Sequence, residues 1–108
     1  MPIDQGLLEV YEAGRLTVLG FGGRTVLEHI NLSDCREEIA ALIKENNCET
    51  LAFDLTGIRL LPSGLLGLLA SLRQLGVEVH VYNPSEDVRE VLEITRLERV
   101  MHVHELEL

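Results

Sequence analysis

A hydroxyl stands alone in the stretch Leu61-Pro62-Ser63-Gly64, where an apolar run re-enters after the turn at Thr56-Gly57. Two chemistries fit Ser63. As a helix cap, its oxygen accepts the N–H of Leu65 or Leu66. As a phosphoacceptor, it would carry a dianion stabilised by the positive end of the helix that starts there. Chain physics favours the cap. His102 and His104 alternate on a terminal strand and point to one face, as two metal ligands must, but no third ligand is evident near them in sequence. They read as surface histidines, and neither a metal nor a cofactor is expected. Cys35 and Cys48 fit no metal-ligand spacing and read as reduced thiols.

Two further stretches invite a chemical reading and do not sustain it. Gly20-Phe21-Gly22-Gly23-Arg24-Thr25 follows a strand, as phosphate loops do, yet lacks the Lys-Ser/Thr ending, so a bulge or turn is expected. Asp54 ends a strand in the manner of a receiver phosphoacceptor, without the acidic pair or the late basic residue such sites need. No nucleophile is placed with a base, and catalysis is not expected.

The elements that hold these residues follow from periodicity. Leu7 to Phe21 predicts two strands around Glu12-Ala13-Gly14-Arg15, with glycines breaking the second. Ser33-Asp34 predicts a helix start, followed by a core face of Cys35, Ile39, Leu42, Ile43 and Asn46. Thr50 to Leu55 predicts a strand buried on both faces, and Val77 to Tyr82 a strand with one apolar face. Ser85 is expected to cap a helix with the buried stripe Val88, Val91, Leu92 and Thr95, before a last short strand over Val100 to His104. Alternating strands and helices imply an α/β fold: one domain over residues 1–108, with a mixed, mostly parallel sheet of about five strands and helices packed against it.

The helix after Pro62 is the most informative. Leu65, Leu68, Leu69, Leu72 and Leu75 form one wide apolar face, while Ser63, Gly67, Ala70 and Gln74 lie opposite. Glycine inside a helix costs about 1 kcal/mol relative to alanine. A face of small, uncharged residues in place of Glu or Lys suits close approach by another molecule, with Leu66 at its boundary as an apolar anchor.

Composition narrows the partner. Lys and Arg number 9 against 18 Asp and Glu, a formal charge of −9, which repels nucleic acid and anionic lipid. A protein partner is expected, no apolar run suffices for a membrane span, and the N-terminus lacks the pattern of a signal peptide, which implies the cytoplasm. Monomer and homodimer both fit.

Read in order, Asp54-Leu55-Thr56-Gly57, Ser63, Leu66-Gly67, Asn83-Pro84-Ser85 and Val91-Leu92-Glu93-Ile94-Thr95 make the chain resemble a STAS domain, the fold of bacterial anti-sigma factor antagonists. The resemblance implies partner switching in transcription regulation: docking to an anti-sigma factor or serine kinase through a D-S-S-G region, with release on phosphorylation of the second serine. Position by position, Pro62 takes the place of the family aspartate, Ser63 that of the first serine and Gly64 that of the phosphorylated serine. The implied docking residues are Thr56, Arg59, Ser63, Gly64, Leu66, Gly67, Ala70 and Gln74. Two alternatives stand beside a constitutive interaction module: a phospho-switch moved to Ser63, and a sensor with a small apolar or nucleotide ligand near Gly20 to Thr25. Arg96 replaces the glycine that commonly ends the family's last helix, which puts that helix's left-handed cap in question.

Overall fold

The computed structural model describes residues 8–21 and 31–105. Strands β1 (Glu9–Glu12) and β2 (Leu16–Gly20) form the expected antiparallel hairpin, with a bulge between Val10 and Glu12. Thr17 braces its turn, donating to the Gly14 carbonyl at 2.9 Å and accepting the Gly14 N–H at 3.2 Å. A Cβ at Gly20 would run into the Tyr11 ring, so a side chain there would require the exposed Tyr11 to move aside.

Then follow α1 (Leu32–Asn46), β3 (Thr50–Asp54), α2 (Ser63–Ser71), β4 (Glu78–Tyr82), α3 (Glu86–Ile94) and β5 (His102–His104). Short 3₁₀ turns at Leu72–Leu75 and Leu97–Arg99 follow α2 and α3. The sheet order is β1-β2-β3-β4-β5, with β2 to β5 all parallel. The expected mixed, mostly parallel five-stranded sheet is present.

Strand order that equals chain order has a geometric consequence. Successive right-handed crossovers all travel the same way, so their helices accumulate on one face of the sheet. Burial agrees. Leu19, Leu51, Phe53, Val79 and Val81 point into a core shared with Cys35, Ile39, Leu65, Leu69, Leu72 and Leu92. The alternate residues, including Leu16, His80, Tyr82, His102 and His104, line a face on which no described element packs, and all of these retain exposure.

Several local expectations shift. Helix α1 starts earlier than Ser33-Asp34: Asn31 is the cap, its Oδ1 accepting the Asp34 N–H at 3.1 Å. The amide side chain three residues ahead of an acidic group makes the better start. Ser85 caps α3 as expected, with Oγ accepting the Val88 N–H at 3.3 Å. Thr95 is exposed and leaves the buried stripe, because its hydroxyl turns back to donate to the Val91 carbonyl at 2.7 Å. Arg96 adopts the left-handed conformation expected of glycine, at φ 62°.

Candidate functional site

The site is built by two turns and the start of a helix. Where β3 ends, the half-buried Asp54 accepts the Thr56 N–H on Oδ1 at 3.0 Å, and Gly57 follows at φ 84°, a conformation suited to glycine. Asp54 thus shapes the loop. Where β4 ends, Asn83 sits at φ 56°, its N–H donating to the His104 carbonyl at 2.8 Å. Its side-chain Nδ2 donates to Thr56 Oγ1 at 3.1 Å, so the Asp54-to-Gly57 and Asn83-to-Ser85 turns are held together.

Ser63 is the first residue of α2, and the cap position falls on Pro62, at φ −63° and ψ 138°. Proline has no side-chain oxygen to offer, and the Pro62 carbonyl takes the Leu65 N–H at 3.0 Å. The expected Ser63 cap is therefore displaced: proline's fixed φ favours the edge of the helix and moves the serine one position inward. The Ser63 side chain lies outside the described part of the structure.

The small-residue face survives in part. Gly64 and Gly67 are exposed, and a Cβ on Gly67 would meet nothing within 4 Å. A Cβ on Gly64 would approach Leu32 Cδ1 to 3.1 Å, so a serine there would require Leu32 to give slightly. Ala70 is half-buried. Leu66 is not a boundary anchor: it is 1% exposed and packed in the core, facing a crevice bordered by Val88 and Val91 of α3. Leu66 of α2 and Val88 of α3 belong to one buried core, a tertiary relation that helix periodicity alone does not contain.

Gln74 is exposed but leaves the line through Gly67, because α2 ends at Ser71 and the next turn is 3₁₀. At about 120° per residue instead of 100°, the three steps from Ser71 to Gln74 rotate the side chain by roughly 60°. Leu75 leaves the apolar face for the same reason and is exposed. Thr56 and Arg59 are both exposed; Arg59 borders the crevice with Leu66, while Thr56 lies with Asp54, Tyr82 and Asn83 at the end of the sheet. Sequence reading missed Leu60, which is 55% exposed at the mouth of the same crevice. Its apolar side chain next to Arg59 carries no periodicity that would have marked it.

The small-ligand reading placed its site at Gly20 to Thr25, of which Gly22, Gly23, Arg24 and Thr25 lie outside the described residues. A shallow cavity of about 330 Å³ lies instead on the uncovered sheet face, between Tyr11, Leu16, Val18, Ala52 and Tyr82.

The family model for the STAS domain matches residues 8–107. The chain belongs to the STAS domain family. Among solved structures, this STAS domain is similar to the anti-sigma factor antagonist SpoIIAA in its unphosphorylated form, at 20% identity and TM-score 0.73, over 89% of this chain and 86% of that one. An anti-sigma-factor antagonist (STAS) domain protein from Planctomyces limnophilus matches at 17% identity and TM-score 0.73, over 93% and 91% of the two chains. The Bacillus cell fate determinant SpoIIAA in its phosphorylated form matches at 20% identity and TM-score 0.63, over 89% of each. At these identities the likeness shows the fold. No curated protein gives a significant sequence match.

Proposed function

We propose that this STAS domain is a protein-interaction module of the anti-sigma factor antagonist kind, acting in partner switching by docking an anti-sigma factor or serine kinase and carrying out no catalysis itself. The docking surface is the outer side of α2 with Gly64 and Gly67, flanked by Thr56, Arg59 and Leu60. The observation that carries this reading is Gly67: it is exposed, open to solvent, and unconstrained by any neighbour, yet holds the residue that costs a helix about 1 kcal/mol. A close-approaching partner accounts for that choice. Among the described residues no helix is long and apolar enough to cross a membrane, and the cytoplasm is the proposed compartment.

The usual acceptor hydroxyl is replaced by Gly64, so the interaction is proposed to be constitutive at that position. Pairwise binding measurements against the anti-sigma factors and serine kinases of the same organism test this. A binder is expected, and Gly67→Lys is expected to abolish its binding while circular dichroism stays unchanged. Unaltered binding by that variant overturns the surface.

A second reading, a phospho-switch at Ser63, is favoured by one observation: the N-terminus of α2 has no side-chain cap, which leaves the amides ahead of Leu65 without a side-chain acceptor. Intact-mass measurement after incubation with the cognate kinase decides it, since no added phosphate, or phosphate on another residue, ends this reading.

A further inference from the structure

On the uncovered sheet face, the parallel pairing of β4 and β5 sets His80 opposite His102 and Tyr82 opposite His104. His102 and His104 therefore gain the neighbours that the sequence alone did not show. Glu78 Oε1 lies 3.1 Å from His80 Nε2 and 3.8 Å from His102 Nε2, and one donor atom from each of the three residues falls within 4.8 Å of the others. His80 Nδ1 lies 2.8 Å from His104 Nε2.

We propose that Glu78, His80 and His102 form a Zn²⁺ site that clamps β5 to β4, with His104 orienting His80. The donor set is nitrogen-rich, which suits late first-row divalent ions rather than Mg²⁺ or Ca²⁺, whose preferred ligands are oxygen. Donors around tetrahedral zinc stand roughly 3.4 Å apart, and the two separations from Glu78 bracket that spacing. Metal-bound histidines commonly use their other ring nitrogen as a donor to a fixed partner, and His80 already has one in His104.

In the metal-free protein, the tautomer of His80 with its proton on Nε2 would donate to Glu78 and accept at Nδ1 from His104. Zinc takes the Nε2 lone pair instead. The proton then resides on Nδ1, which donates to His104 Nε2, while the His104 proton resides on its own Nδ1. No net proton is lost when both rings exchange tautomers in this way.

Some movement is required. The His80 and His102 rings stack, with centroids 4.4 Å apart and planes at 18°, so an ion between them lies off at least one lone-pair axis. His102 is the one to swing, because its side chain is 59% exposed on the edge strand. The chain's charge of −9 favours the cation's approach. The alternative is a stacked aromatic surface without metal, in which His80, His102, His104 and Tyr82 simply cover the sheet.

The test is calorimetric titration of chelator-treated full-length chain with ZnCl₂, paired with thermal unfolding. Saturable binding to the chain is expected, with a raised Tm and no comparable effect of MgCl₂. Glu78→Gln and His102→Ala, both at exposed positions, are each expected to weaken zinc binding at least about tenfold and remove the Tm shift; His104→Ala should weaken it about 10–100-fold by loosening His80. Absence of saturable binding, or equal binding by wild type and the Glu78 and His102 variants, overturns the proposal in favour of the metal-free stack.

Discussion

Asn83 Nδ2 donates to Thr56 Oγ1 across 3.1 Å, joining residues 27 positions apart. The bond sets the loop between β3 and α2 against the loop between β4 and α3. Removing it with Thr56→Val is expected to cost about 0.5–1 kcal/mol, modest because the bond is exposed. Asn83→Gly keeps the left-handed backbone while losing the same bond. Urea unfolding of both singles and the double should show the two losses failing to add, as two partners in one interaction must.

The crevice separates two leucines that look alike in sequence. Leu66 is buried and Leu60 is exposed, so Leu66→Ala is expected to cost about 2–5 kcal/mol, whereas Leu60→Ala changes stability by less than about 0.5 kcal/mol. Under the proposed docking, Leu60→Ala weakens partner binding all the same. Denaturation midpoints and binding measurements on the two variants separate core from contact.

Arg96 holds φ 62° immediately after α3, with its N–H donating to the Glu93 carbonyl at 3.2 Å. A side chain in this conformation carries a steric cost that glycine avoids, partly offset by glycine's freer unfolded chain. Arg96→Gly is expected to stabilise the protein by about 1 kcal/mol. A lower midpoint in thermal or urea unfolding contradicts this.

Burial, with a smaller contribution from Glu38, pushes the Cys35 thiol up to about 11. In the unfolded chain it titrates at about 8.5. The native protein therefore keeps a proton that the unfolded chain releases, and Cys35 contributes stability that is complete below about pH 8.5 and declines as the pH rises toward 11. Thiol-reagent kinetics should show Cys35 protected at neutral pH in the native state. Stability measured across that alkaline window should fall less steeply in Cys35→Ala than in the wild type.

What the sequence made legible was whatever depends on neighbours along the chain. The hairpin turn, the alternation of Val79 and Val81 with His80 and Tyr82, and the Ser85 cap all follow from local spacing, and all are present. The family pattern added the register of the Asp54-to-Gly57 and Asn83-to-Ser85 turns, although not the hydrogen bond between them. The losses occur where a distant element intervenes. Leu66 went from anchor to core because it joins a buried cluster that includes Val88 and Leu92 of α3, and Gln74 left its line because the helix tightened to 3₁₀ after Ser71. His80 was read only as an alternating strand residue; its relation to His102 exists solely through the β4–β5 register.

The order β1-β2-β3-β4-β5 also bears on how the chain reaches this structure. Every strand pairs with the one made just before or just after it, so no strand must wait for a distant segment to arrive. Each βαβ unit closes over a short span, which keeps the entropy of loop closure low for a parallel sheet. During synthesis, each new strand finds its template already emerged, and the exposed edge that could recruit a wrong chain is covered as soon as the next unit docks.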